Sequence, residues 1–521
     1  MKKSLFLIVL LVVLALLVSC GDKSAITTAE TTAQDVITTA PTTTATHPVT
    51  EPPVSSTAVI TTAEIPITTT APETEPEPDL LELLEFRYVP EDRGYHVVGF
   101  GGWEGTELTI PSEYDGKPVV ALGDFAFQNC FDLEKITLPD SVKKIGEGCF
   151  WGDDLLTSVK FGKNFESIGE AAFYECASLS DITIPETVTN ISVVAFYGCE
   201  SLESVTIPNG ITEIGMLMFA DCKNLNEVVL PESVTDISDH AFYNCINLSE
   251  INIPKDLVRL GGYAFYNCDS LGVINLPATL VEIGNYAFTS CDNLTELTVA
   301  DENPMYSIEN CVLYSKDKTA LYVVFGTPTS LNVPESVTSI AAFAFADCNT
   351  LTTIHLPASV TEIGSRAFAG CEKLTAITVD SENPNFLDIN GALYNKNATT
   401  LLAVPASFTS YEFPESVTTV GDYAFYLCLN LKSITIPTHV RKLGMCAFSH
   451  CASLTEIVIP NTVTTIGEWA FYNCTSLKTI YCEYNVKPSG WNTDWAYGID
   501  ETADILFAGS WTYVDGIPTK K

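Results

Sequence analysis

The chain is predicted to fold as a β-rich solenoid. Three observations predict it. First, phenylalanine recurs at one constant interval, at Phe127, Phe150, Phe173, Phe196, Phe219, Phe242, Phe265 and Phe288. Second, each copy leads into an L-x-x-I-x-I-P run, whose alternating end suits a short strand stopped by proline. Third, one copy cannot bury its own Leu, Ile, Val and Phe, whereas stacked copies bury them as continuous columns.

In chain order, the N-terminus comes first. Lys2 and Lys3 precede an unbroken apolar run from Leu5 to Val18. That run is short for a membrane helix and has the shape of a secretory signal, assigned to residues 1–19. It ends in Leu17-Val18-Ser19-Cys20, which resembles the lipobox of bacterial lipoproteins. The resemblance implies acylation of Cys20 and a lipid anchor in the cell membrane, with the rest of the chain exported and facing outward. Residues 20–79 are rich in Thr, Ala, Pro and Glu without a hydrophobic period. Such a segment cannot bury enough apolar surface to offset its ordering entropy, so it is expected to be a disordered linker. It would span roughly 40 Å if flexible and about 150 Å if extended.

Residues 80–118 read as an N-terminal cap hairpin, and residues 119–480 carry the repeats. After Phe288 the grid continues at Phe345, Phe368, Phe425, Phe448 and Phe471. The steps into Phe345 and Phe425 are longer than the rest and equal to each other. Two insertions, near 301–334 and 381–414, account for them. The insertions match: Asn303-Pro304 corresponds to Asn383-Pro384, and VLYSKDKTALYVV to ALYNKNATTLLAV. Within each repeat, V-x-x-I returns a second apolar edge, and a glycine such as Gly169 or Gly215 is expected to permit the bend that follows. Residues 481–521 read as the C-terminal cap, since an open end would expose the core.

Cysteine stands at the third position after the phenylalanine in twelve of the thirteen copies, with Asp153 in the exception. A column gives each cysteine two equivalent neighbours and no pairing rule. Single cysteines a whole repeat apart also do not supply the clustered ligands that zinc needs. A column of buried thiols is therefore expected, with disulfides the alternative that an exported chain permits, and no metal or cofactor is assigned.

The balance of 26 Lys and Arg against 65 Asp and Glu gives a formal charge of −39, which disfavours nucleic acid as a partner. None of the six histidines lies in an H-E-x-x-H motif, and there is no G-x-S-x-G elbow or P-loop. No nucleophile, base and orienting group can be assembled, so the chain is not read as an enzyme. What remains is a surface. The third and fifth positions of L-x-x-I-x-I point away from the core. They form a candidate binding strip that includes Thr137, Thr183, Thr206, Glu227, Glu250, Asn252, Asn275, Glu296, Thr298 and His355. The strip is rich in hydroxyls with an acidic middle. It lacks the Trp, Tyr and Arg anchors typical of binding hot spots.

The tandem AF-x-x-C-x-x-L-x-x-I-x-I-P unit, kept from Phe127 to Phe471, resembles the BspA-like leucine-rich repeats of bacterial surface proteins. The resemblance implies a β-rich leucine-rich-repeat solenoid of about thirteen regular and two longer degenerate units, capped at both ends. It also implies a cell-surface adhesin that recognises host or neighbouring-cell proteins. The alternative is an envelope scaffold or glycan-capture protein. An extracellular protein is the expected partner and a glycan the second; contact with the membrane is expected through the N-terminal lipid only.

Overall fold

The computed structural model describes residues 80–101, 105–500, 502–514 and 517–521. The signal peptide, Cys20 and the linker lie outside the described residues. Among the described residues, no helix is long and apolar enough to cross a membrane.

From Leu83 onward the chain forms one compact unit of stacked turns. The L-x-x-I-x-I segments make a strand face of short parallel strands. Ser204–Thr206 pairs with Glu227–Val229, and that strand with Glu250–Ile251. The register advances by one repeat each time, so Ser204, Glu227 and Glu250 align. Alternation places Val228 in the core and leaves Glu227 and Val229 exposed. The proline then starts a turn, as where the Ile211 amide donates to the Pro208 carbonyl at 3.1 Å.

The V-x-x-I edge is itself a second parallel stack. Glu213–Ile214, Asp236–Ile237, Arg259–Leu260 and Glu282–Ile283 pair in sequence, each with one buried or half-buried apolar residue. Where a glycine such as Gly169 follows, close approach between turns favours it, and no left-handed bend is involved. A Cβ at Gly169 would lie 2.5 Å from the Gly146 backbone, and neither residue has a positive φ.

The Ala-Phe segment closes each turn. Phe196, Phe219 and Phe242 donate their amides to the carbonyl one turn on, at Met218, Ala241 and Ala264, over 2.9–3.0 Å. A left-handed residue stands on either side: Leu217 and Asp221 at φ 55° and 59°, His240 and Asn244 at 59° and 60°. The phenylalanines stack in a fully buried column, with Phe196–Phe219 centroids 5.4 Å apart and rings within 2° of parallel. The Phe219–Phe242 and Phe242–Phe265 pairs repeat the arrangement at 5.6 and 5.3 Å.

Each column cysteine is a free thiol, and along the middle of the stack it donates to the carbonyl of the phenylalanine one turn back. Cys222 reaches Phe196 at 3.1 Å, Cys245 reaches Phe219 at 3.0 Å, and Cys268 reaches Phe242 at 3.2 Å. Burial pushes these thiols up, to about 12 at Cys291 and Cys428. Asp153 takes the place of a thiol and is fully buried. Its Oδ1 accepts from the Cys130 amide at 2.8 Å, while its Oδ2 has no hydrogen-bond partner among the described residues. Desolvation raises its pKa from the ordinary 3.8 to about 9, so it is held protonated.

Both insertions fold alike. Tyr306–Glu309 pairs antiparallel with Val312–Ser315, which pairs antiparallel with Ala320–Val324; this last strand rejoins the second stack beside Ser339–Ile340. Phe386–Ile389, Ala392–Asn395 and Thr400–Ala403 repeat the pattern and rejoin at Thr419–Val420. Buried Asn303 pins the first insertion. Its side-chain amide donates to the Pro277 and Leu280 carbonyls at 2.9 Å, and its Oδ1 accepts from the Met305 and Tyr306 amides. Asn383 does the same with Pro357, Val360, Asn385 and Phe386.

The terminal segments add turns of their own. Glu107–Thr109 pairs parallel with Lys135–Thr137, and Asp504–Leu506 with Thr479–Cys482. Phe100 covers one end of the phenylalanine column at 5.4 Å from Phe127, and Trp495 the other at 6.0 Å from Phe471.

Two outcomes test this description. Iodoacetamide should modify half-buried Cys311 in the native chain and reach Cys222, Cys245 and Cys268 only after unfolding. Peptide mass spectrometry reads the difference, and native-state labelling of the column would contradict the buried-thiol assignment. Asp153 releases its proton near 4 in the unfolded chain and near 9 in the folded one. Its contribution is therefore complete below pH 4 and is lost as pH rises toward 9, with a slope approaching about 1.4 kcal/mol per pH unit. Asp153→Cys should flatten that slope in urea unfolding followed from pH 5 to pH 8; an unchanged slope would mean the carboxyl is not buried as described.

Candidate functional site

The strand face carries the residues nominated from the sequence. Thr183, Thr206, Glu227, Glu250, Asn252, Asn275 and Glu296 are exposed, while Thr137, Thr298 and His355 are half-buried. Register brings Glu227 beside Glu250, Asn275 beside Thr298, and Thr206 beside Val229. Thr137 lies one turn from Lys160, and His355 one turn from Thr378.

Several of these side chains are engaged within the stack. Asn252 clamps the Leu230 backbone, accepting from its amide and donating to its carbonyl, both at 2.7 Å. Thr298 donates to Asn275 at 2.6 Å, and His355 Nδ1 lies 3.1 Å from the Thr378 hydroxyl. These contacts hold adjacent strands together. Glu227 and Glu250 stand side by side at the surface, and Glu296 is exposed beyond Val273, its neighbour in register. Beside this face lies a shallow polar groove of about 410 Å³, lined by Glu203, Asn224, Asn226, Asn247, Ser249 and Ser270. Near the C-terminus the face is covered by the chain itself. There Trp511 packs 5.1 Å from Tyr481, and Val458 packs against the same cluster.

The aromatic anchors missing from the strand face stand on the turn face. In seven turns the residue after the column phenylalanine is aromatic: Tyr174 is buried, and Trp151, Tyr197, Tyr243, Tyr266, Tyr426 and Tyr472 are half-buried. Trp151–Tyr174 and Tyr174–Tyr197 centroids are each 4.8 Å apart, and Tyr243–Tyr266 are 5.1 Å apart. A parallel column, at the second position before the phenylalanine, holds His240, Tyr263, Tyr286, Phe343, Arg366 and Tyr423. It crosses the first insertion without a break, since Tyr286 and Phe343 are 4.3 Å apart. The guanidinium of Arg366 lies 4.9 Å from the Phe343 ring and 3.9 Å from the Tyr423 ring, a cation seated on aromatic faces. The tyrosine that follows many of the column phenylalanines was visible in the sequence, but no strand alternation assigns a direction to a residue in a turn.

Two histidines lie among these rings, His240 4.7 Å from Tyr263 and His450 5.3 Å from Tyr426. Burial pulls His240 down to about 4, and burial with the Arg366 charge does the same to His450. Both are neutral and weakly basic at pH 7. A cavity of about 510 Å³ beside the second insertion is lined by Arg366, Phe368, Leu393, Tyr423, Asp422 and Lys442 among others. Among the described residues, no three His, Cys, Asp or Glu side chains are grouped to hold a metal ion.

The BspA type leucine rich repeat region, in 6 copies, matches residues 120–237, 189–320, 327–402 and 402–493. A leucine rich cell surface protein of Faecalibacterium prausnitzii A2-165 is 29% identical over 81% of this chain and 97% of its own, with a TM-score of 0.50. A leucine rich repeat protein of T. pallidum is 33% identical over 36% of this chain and 88% of its own, with a TM-score of 0.35. A leucine-rich repeat protein of Bacteroides ovatus ATCC 8483 is 24% identical over 81% of this chain and 98% of its own, with a TM-score of 0.42. Among curated proteins, none matches the chain. With the repeat matched over well over half its length, the chain belongs to the BspA-type leucine-rich repeat family.

Proposed function

We propose that this chain is a surface adhesin, anchored by lipid at Cys20, that binds proteins of a host or of neighbouring cells through its solenoid and carries out no catalysis. The coarse part of this reading, a surface protein with a binding role, has the support of the family and of the F. prausnitzii cell surface protein. The observation that carries the finer part is the strand face. It offers successive turns in one register, with Thr183, Thr206, Glu227 and Glu250 exposed and pointing the same way. A partner can meet many small polar contacts at once on such a surface, without a deep pocket.

The test is a binding screen of residues 80–521 against extracellular-matrix proteins, mucins and polysaccharides. The matched control changes Thr183, Thr206 and Glu227 to Lys. Saturable protein binding that weakens about tenfold or more in the control supports an adhesin acting through this face. Binding to polysaccharide alone, or no binding, overturns the adhesin reading in favour of an envelope scaffold. Separately, Cys20→Ala should abolish incorporation of labelled palmitate and release the protein from the membrane fraction; retained label would place the anchor elsewhere.

A further inference from the structure

The two insertions fold alike but do not fill their surroundings alike. Beside the first, Tyr286, Phe288, Leu313 and Tyr322 help to enclose a space of about 60 Å³. At the matching point beside the second, Arg366, Phe368, Leu393 and Leu402 line the cavity of about 510 Å³. Smaller side chains open it. Thr289, Tyr322 and Val323 at the first insertion are replaced by Ala369, Leu402 and Ala403 at the second. The largest single loss is the ring of Tyr322.

A backbone donor at the same place also loses its partner. At the first insertion the Tyr306 hydroxyl accepts from the Ile283 amide at 2.9 Å and donates to the Val281 carbonyl at 3.3 Å. Phe386 stands at the matching position of the second and carries no hydroxyl. Glu362 and Gly364 direct their amides back to the Thr338 and Ile340 carbonyls of the preceding turn. Alternation therefore turns the Ile363 amide forward, away from that turn. Both Ile363 and Phe386 line the cavity.

Its walls are also charged. Arg366 is buried, while Lys442 and Asp422 are exposed. Asp422 is engaged with the next turn, its Oδ1 accepting from the Met445 amide at 2.8 Å. Two cations against one carboxylate make this a locally positive site in a chain whose formal charge is −39.

We propose that this cavity binds a small aromatic monocarboxylic acid. The ring takes the space that Tyr322 fills at the first insertion, against Phe386, Leu393 and Leu402. The carboxylate accepts from the Ile363 amide and balances the Arg366 charge. At the first insertion the chain supplies a ring and an oxygen from its own tyrosines; at the second it takes them from a ligand. This goes beyond the strand-face reading and shares no residue with it, so either can fail without the other.

The experiment is equilibrium dialysis of the full-length protein, with detergent on both sides. The probe is hydrocinnamate, run beside its neutral amide. The acid should bind saturably, and the amide about tenfold or more weakly. Leu402→Tyr installs the residue of the first insertion. It should weaken the acid about tenfold or more by filling the cavity, with the melting temperature unchanged or raised. Phe386→Tyr should weaken it about threefold, because the Ile363 amide then meets a hydroxyl of the chain itself. Arg366→Met should bring the acid down to the level of the amide. Arg366 also packs on the Phe343 and Tyr423 rings, so the two insertion variants carry the test where this one fails to fold. Absence of saturable binding by the acid overturns the proposal. Equal binding of the amide overturns it as well, by leaving the charge no role. So does undiminished binding to Leu402→Tyr, which would put the acid elsewhere on the protein.

Discussion

One contact sets the rest of this molecule: a phenylalanine ring lying over the phenylalanine ring of the next turn, as for Phe196 and Phe219 at 5.4 Å. A ring on a ring fixes height and lateral position together, so every other residue inherits its register. Phe219 brings its own amide to the Ala241 carbonyl and its own carbonyl to the Cys245 thiol. The left-handed residues flanking it, each costing roughly 1–2 kcal/mol, persist because the turn they bracket directs amides at the neighbouring turn. The stack supplies that compensation many times over, and an isolated repeat would have none.

Fixed register also decides what the surface can be. Any residue meets its counterpart one turn away, so the side chains that succeed are those able to face their own kind or a complement. Asn267 donates to Asn244 at 2.6 Å, and Thr298 to Asn275. Lysine pairs with glutamate one turn away at some points, as in Lys135 and Glu107 at 2.7 Å, whereas Glu227 and Glu250 stand side by side at the exposed surface. Aromatic rings meet ring to ring. Where a column departs from this logic a cost is stored, as in the buried carboxyl at Asp153.

The sequence made the repeat, the strand face, both insertions and the thiol column legible, because each follows from a strict interval and an alternating apolar pattern. The V-x-x-I edge was visible only as apolar residues; its strands, such as Glu213–Ile214, are too short to show alternation. The role of the glycines was misplaced, since close approach between turns is a tertiary fact that Gly169 does not announce. The turn face was legible in part. Asn129, Asn244, Asn267 and Asn473 stand at a left-handed position, a residue type that tolerates it, yet Leu427 and Glu175 adopt the same conformation with no such signal. On the strand face, exposure followed from alternation, but the clamp made by Asn252 did not, since it needs the spacing between two strands.

The two insertions carry a consequence for how such a chain grows. Asn303 and Asn383 stand at the same point of their respective insertions and hold their hairpins to the preceding turn in the same way. Each hairpin hands the chain back to the columns it left. The stretch between them is therefore a complete module: its first and last turns present matching surfaces to whatever lies on either side. Gene segments encoding it can be duplicated or deleted in phase, and the product keeps its core continuous. Reach from the cell would then be adjustable in steps, by recombination alone, with no new interface to evolve.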